Sequence, residues 1–183
     1  MAIATFIVVD DGQKLLGNPA LTVRMANQVG FELASNDAVG TLIPPERINA
    51  LVAEFGDAYY RTPIATLGEE VGAQLVIHIE VDQINVSTSA ELLKPTATVR
   101  VKVIDIENRR RLFPTTDADA VEPDTTVAAR GWPVRTELTY RREGSPTAAD
   151  LALLAQRLTD RIAIDVARLF YKYEVPISKF DED

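Results

Sequence analysis

The sequence predicts an α+β domain, with a mixed sheet of about five strands built on a long antiparallel hairpin. Amphipathic helices pack on that sheet, and the last of them is long. Three observations predict this. Residues 75–86 and 95–107 are two alternating, β-branched runs joined by a polar stretch. Apolar residues recur at helical spacing over 21–33, 48–55 and 151–173. Xaa-Pro pairs precede the helical runs and glycines close them.

Taken in order, residues 2–9 (AIATFIVV) form a nearly continuous apolar run, which suits a strand covered on both faces. Asp10, Asp11 and Gly12 end it. Asn18-Pro19 starts a helix whose Leu21, Met25, Val29 and Leu33 form one stripe to about residue 35. After a turn at SNDAVG, Val39 to Ile43 reads as a short strand. Pro44-Pro45 opens a second helix with Ile48, Leu51, Val52 and Phe55 inward, stopped by Gly56. Thr62-Pro63 opens a third, with Ile64, Leu67 and Val71 inward, stopped by Gly72.

The first long strand carries Leu75, Ile77, Ile79 and Val81 on one parity, then Ile84 and Val86 on the other. The second carries Ala97, Val99, Val101 and Val103, then Ile104 and Ile106. Such a slip on both strands predicts a β-bulge or a change of packing environment. STSAELLK is expected to be the hairpin loop, and Glu107 to Arg110 a polar turn. Residues 114–126 lack any periodicity and read as the longest loop. A further strand region spans VAARGWPVRTELTYRR, interrupted at Gly131-Trp132-Pro133. Ser145-Pro146 then opens a helix over about 147–173, roughly 40 Å long. Its stripe of Leu151, Leu154, Leu158, Ile162, Val166, Leu169 and Tyr173, widened by Ile164 and Phe170, suits a helix laid along a sheet. The whole chain, 1–183, is expected to be one domain with a frayed tail at 174–183.

Composition narrows the role. With 46% apolar and 25% charged residues the chain is globular, and 183 residues suffice for a sizeable core. A formal charge of -8 argues against nucleic acid and against anionic lipid headgroups. No apolar run reaches the length of a membrane-spanning helix. The absence of cysteine removes disulfides, thiolate metal sites and cysteine nucleophiles. The opening MAIATFIVVDD lacks the features of a signal peptide. Taken literally, that places the protein in the cytoplasm; a leader removed upstream of it leads to the envelope instead.

Few residues invite chemistry. His78, the only histidine, shares strand parity with Glu80 and Asp82. These span about 14 Å along a strand, too far for one ion without another segment, so a solvent-facing or hydrogen-bonded residue is the preferred reading. Asp117, Asp119, Glu122 and Asp124 resemble a calcium loop in composition alone, lacking its ligand order and central glycine. Adjacent Glu69 and Glu70 point apart on a helix. No phosphate-cradling glycine motif and no GxSxG occurs. No catalytic residue, metal or cofactor is therefore expected. For partner binding, the candidates are Trp132 and the run Arg109, Arg110, Arg111. The plainer readings are a core anchor for the tryptophan and a solvated turn for the arginines.

LGEEVGAQLVIHIEVDQI, followed by ATVRVKVIDIENRR, resembles a pattern of bacterial envelope proteins. There, a helix ending "lGadyvi-G-v" leads into a strand, and a second strand carries "v-vrl-Dv-tg". The superfamily is that of the amino-terminal domain of the Tol-Pal translocation protein (TolB) and the curli secretion-channel lipoprotein (CsgG). The opening strand, first helix, VGTLI and RINALVAEF follow the same layout, and the likeness covers roughly residues 2–110. His78 and Glu80 stand where the pattern has small or apolar residues, and 112–145 has no counterpart. The resemblance implies an α+β domain of a cell-envelope protein, often exported as a lipoprotein with its anchor upstream of residue 1. It implies a periplasmic or outer-membrane-associated location, partners among other envelope proteins or copies of itself, and no catalytic residues. Two other expectations stand beside it: a metal- or ligand-dependent enzyme or binder using His78 and its neighbouring carboxylates, and a self-assembling protein pairing through its wide apolar helix face.

Overall fold

The computed structural model describes residues 3–10, 19–88, 92–114, 131–141 and 146–172. Strand β1 (Ala4–Asp10) is followed by helix α1 (Pro19–Ser35), strand β2 (Thr41–Leu42) and helix α2 (Arg47–Phe55). A 3-10 turn (Gly56–Arg61) leads into α3 (Ile64–Glu70). The hairpin is β3 (Leu75–Thr88) and β4 (Leu92–Asp105). Strands β5 (Arg110–Phe113), β6 (Trp132–Glu137) and β7 (Tyr140–Arg141) precede α4 (Ala148–Ala167).

The seven strands among the described residues join one mixed sheet in the order β2-β1-β3-β4-β5, with β6 and β7 also paired to β4. β1 runs parallel to β2 and β3, which requires helical crossovers, and α1, α2 and α3 supply them. Every other pairing is antiparallel. Five positions across the sheet match the expected number of strands. The fifth is divided: along β4, β7 pairs with Leu92–Leu93, β6 with Thr96–Val101 and β5 with Val103–Asp105.

The expected parity slips are real and local. On β3, Val81 faces Val99 and Gln83 faces Thr98, so Asp82 is the extra residue of a bulge. β4 itself keeps its register with β3 there, Val103 facing Ile77 and Ile104 facing Val76, so its slip is a change of packing environment from one face of the sheet to the other; the extra residue at that point, Leu112, belongs to β5.

The two faces of the sheet carry separate cores. Ile7, Val9, Ile77, Ile79, Val81, Val99 and Val101 point toward α1 and α4, whose Met25, Val29, Leu33, Leu158, Ile162 and Val166 are buried on them. Phe6, Val8, Val76 and Ile106 point the other way, under Ile48 and Leu51 of α2 and Leu67 of α3. Each such aliphatic side chain contributes about 1.5–3 kcal/mol on burial. Arg24 of α1 grips Asp160 of α4 through Nε and Nη2, at 2.6 and 2.7 Å. α3 lies close to the sheet because residue 68 is glycine: a Cβ there would come 2.6 Å from Ile106 Cδ1 and 2.9 Å from Val76 Cγ2.

Several boundaries differ from expectation. The hairpin strands extend through most of STSAELLK, since Ser87 and Thr88 pair with Lys94 and Leu93. A polar composition did not prevent pairing, because extended backbone continues the ladder whatever the side chains. The last helix ends at Ala167, about 30 Å long rather than 40. Backbone bonds from Leu169 to Val166 and Phe170 to Ala167 then turn the chain back onto the core, so the apolar run persists past the helix. Its cap is Thr147, whose hydroxyl accepts from Asp150 N while Asp150 accepts from Thr147 N, the reciprocal capping box. Thr62 caps no helix start; its hydroxyl donates to Ala58 O, closing the 3-10 turn. The acidic stretch from 115 to 126 and the tail 174–183 lie outside the described residues.

Candidate functional site

The divided edge of the sheet brings together most of the residues singled out for partner binding. Phe113 ends β5 opposite Val103, and Trp132 begins β6 opposite Val101. Residues two apart on one strand share a face and lie about 7 Å apart. The chain thus leaves the sheet after Phe113 and returns to it at Trp132 on neighbouring positions of β4. The two rings meet there at 6.1 Å between centroids, tilted by 49°. Phe113 also meets Phe170, beyond α4, edge-on at 5.6 Å.

Both chain ends at this junction are fixed locally. The Phe113-Pro114 bond is cis, and Arg111 Nε donates to Pro114 O at 3.0 Å. Gly131 has φ +105°, and a Cβ on it would stand 2.9 Å from Val101 O. Only glycine tolerates both that backbone and that approach. Trp132 is seated on one side by Phe113, yet it remains 46% exposed. Trp132 is thus not the core anchor of the plainer reading: one side of its ring lies against Phe113 and much of the rest is exposed.

The three arginines do not act together. Arg109, at φ 47°, forms the tip of the β4–β5 turn and reaches Glu69 of α3 at 2.8 Å. Arg110 lies 3.5 Å from Asp105. Arg111 is turned to Pro114 O and sits opposite Ile104, on the α2/α3 face of the sheet. Asp105 accepts from both the side chain and the backbone of Asn108, which holds its carboxyl below the ordinary range, helped by Arg110. Alternation of strand side chains separates Arg110 from Arg111, so a single cationic claw does not form. The turn and Trp132 nevertheless share one sheet edge, about 13 Å apart along β4.

His78 is buried, which corrects the solvent-facing half of the expectation. It lies between Val8 of β1 and Lys102 of β4, is 7% exposed, and its Nε2 has no hydrogen-bond partner among the described residues. Desolvation pushes its pKa down to about 4, with Asp10 raising and Lys102 lowering it. The imidazole is neutral at pH 7. β3 is an inner strand, and being covered there is what a parity argument alone does not convey. Glu80 faces Asp10 and Arg100 across the strands, and Asp82 at the bulge pairs with Arg100 at 2.6 Å. No group of three His, Asp or Glu side chains suited to a metal occurs among the described residues. Asp117, Asp119, Glu122 and Asp124 lie outside them.

The apolar face of α4 is used within the chain, against α1 and the sheet, so pairing of protomers would need another surface. Sequence reasoning missed Phe31, which is 65% exposed on α1 beside a groove lined by Gly30, Leu42 and Pro44. Its position off the Leu21–Met25–Val29–Leu33 stripe was a legible signal. It also missed Thr5, the one polar residue in the described part of the opening apolar run, which is buried at 1% exposure. No helix among the described residues is long and apolar enough to cross a membrane.

No protein-family model matches the sequence, and no curated protein matches it. Solved structures do. The chain is similar to the lipoprotein GNA1162 from Neisseria meningitidis, at 14% identity and a TM-score of 0.49, over 88% of this chain and 98% of that one. It is similar to the protein CT253 from Chlamydia trachomatis, at 17% identity and a TM-score of 0.47, over 92% and 97%. It is also similar to PelC from Paraburkholderia phytofirmans, solved as a dodecamer, at 13% identity and a TM-score of 0.43, over 93% and 89%.

Proposed function

We propose that the chain is a noncatalytic interaction domain of a bacterial cell-envelope protein, anchored as a lipoprotein, and that it docks another envelope protein on the sheet edge at Trp132. The observation that carries this reading is the half-seated, half-exposed state of Trp132. A tryptophan whose ring is already positioned by Phe113 loses little side-chain freedom on binding, and its free face adds a large apolar contact. Arg109 and Arg110 at the same edge keep exposed guanidinium groups for a polar rim around such a contact. The compartment is supported by the resemblance of residues 67–84 and 97–110 to the envelope superfamily. The observed succession of apolar β1, α1, short β2, α2, long β3–β4 hairpin and closing helix agrees with the layout which that resemblance implies.

Fractionation of cells carrying the complete gene tests the reading. The expected result is recovery with the membrane or periplasmic fraction as part of a larger complex, and conversion to the free protein by Trp132→Ala without loss of fold. Recovery in the cytoplasmic fraction, or a complex indifferent to Trp132→Ala, counts against it.

A further inference from the structure

Strand β3 outruns its neighbour on one side. The β1 ladder ends where Asp10 faces Glu80, whereas the β4 ladder continues until Thr88 faces Leu93. From Gln83 to Thr88, β3 therefore has a strand partner on its β4 side alone among the described residues. The outer row of N–H and C=O groups on such a segment is a template for another extended chain.

The other edges of this sheet carry the devices that discourage such pairing. β2 and β7 are two residues long, β5 opens with Arg110 and Arg111, and β6 contains Pro133, Arg135 and Glu137. Residues 83–88 (QINVST) hold no charge and no proline, in a chain that is 25% charged with a formal net charge of -8. The charge just before them, Asp82 at the bulge, is tied to Arg100 at 2.6 Å. Copies of an anionic chain repel one another, and like charges set directly opposite destabilise a strand pair. An uncharged edge is where two copies can meet.

Symmetry fixes the register. A two-fold axis normal to the sheet keeps each face continuous, so only residues of equal parity stand opposite one another. Ile84 packs against the α1/α4 core, while Gln83 and Asn85 are exposed. With the axis at Asn85, Ile84 of each copy stands opposite Val86 of the other, and Gln83 opposite Ser87. Moving the axis by one residue sets Ile84 against Thr88 in one direction and Asp82 against Val86 in the other. Two Asn85 carboxamides, each with donors and an acceptor, satisfy one another across the axis. We propose that the 83–87 edge of β3 pairs antiparallel with the same edge of a second copy, joining two sheets into one about a two-fold axis at Asn85. This surface lies on the opposite side of β4 from Trp132, so it stands independently of docking there.

Sedimentation equilibrium of the full chain, up to about 1 mM because a strand edge buries less than a standard interface, is expected to show monomer and dimer. Trp132→Ala is expected to leave that equilibrium unchanged. Asn85→Asp and Asn85→Lys each set like charges across the axis and are expected to weaken the dimer about tenfold at low salt. An equimolar mixture of the two variants is expected to restore it. The chain contains no cysteine, so one introduced thiol reports its own position. Asn85→Cys is expected to give a disulfide-linked dimer on mild oxidation, whereas Gln83→Cys, about 14 Å from its counterpart in this register, is not. A protein that stays monomeric throughout overturns the inference, as does a dimer indifferent to both charged variants. Should the charged variants fail to fold, the two cysteine variants decide: linkage at 83 equal to that at 85 overturns the register and the inference with it.

Discussion

The ring of Trp132 rests 6.1 Å from that of Phe113, although residues 114–131 intervene in the chain. Through this contact β5 and β6 behave as one interrupted edge strand. Phe113 is the inner member, touching both Trp132 and Phe170, whereas Trp132 is half in solvent. Phe113→Ala is therefore expected to cost about 2–4 kcal/mol and Trp132→Ala less, near 1–2 kcal/mol. Their coupling in a double-mutant cycle should be about 0.5–1.5 kcal/mol. Urea denaturation of the two single variants and the double variant measures all three values. Additive effects would mean that the rings do not support one another.

Gly68 sets the distance between α3 and the sheet. A Cβ there meets Ile106 and Val76 well inside van der Waals contact, so Gly68→Ala is expected to destabilise the fold by about 1–3 kcal/mol despite alanine's better helix propensity. Ile106→Val removes the Cδ1 atom that stands at 2.6 Å and should recover part of the loss. Equal stability of Gly68→Ala and the unmodified protein, read from the same denaturation curves, would contradict this packing.

His78 makes stability depend on pH with a definite sign. Its folded pKa, about 4, lies below the unfolded value near 6.5, so the unfolded chain binds the proton more readily. The neutral imidazole's contribution is complete above pH 6.5 and is lost as pH falls toward and through 4. Integrated over the shift, the loss is about 3 kcal/mol. The difference in unfolding free energy between the unmodified protein and His78→Leu should follow that curve between pH 7 and pH 3.5. A difference independent of pH would show that burial does not control this group.

The capping box at the start of α4 is worth a smaller amount. Thr147→Ala is expected to cost about 1 kcal/mol, and Thr147→Ser to restore most of it. Thermal unfolding of both variants checks this.

The periodic parts of the chain were legible because one physical signal decided them. The α1 stripe, the β3–β4 alternation and the bulge at Asp82 follow from which side chains leave water, and the residues themselves record that. β5 escaped notice since Arg110–Phe113 owes its pairing to β4 rather than to any pattern of its own. The ends of the hairpin and of α4 were misjudged for a related reason: polarity sets burial, but backbone pairing and the turn at 168–170 set where an element stops. At the candidate site, Trp132 and the arginines were identifiable by type. Their partners were not, because Phe113, Phe170 and Glu69 reach them only through the fold. The burial of His78 was not legible because parity names a face without saying how well that face is covered.

The account turns on Trp132 as a contact point. Photo-crosslinking in living bacteria, with a benzophenone amino acid at position 132 and, as control, at exposed Glu54 on α2, tests that most directly. The account predicts a discrete adduct with an envelope protein from position 132 and none from position 54. No adduct at 132, or the same adduct from both positions, would contradict it.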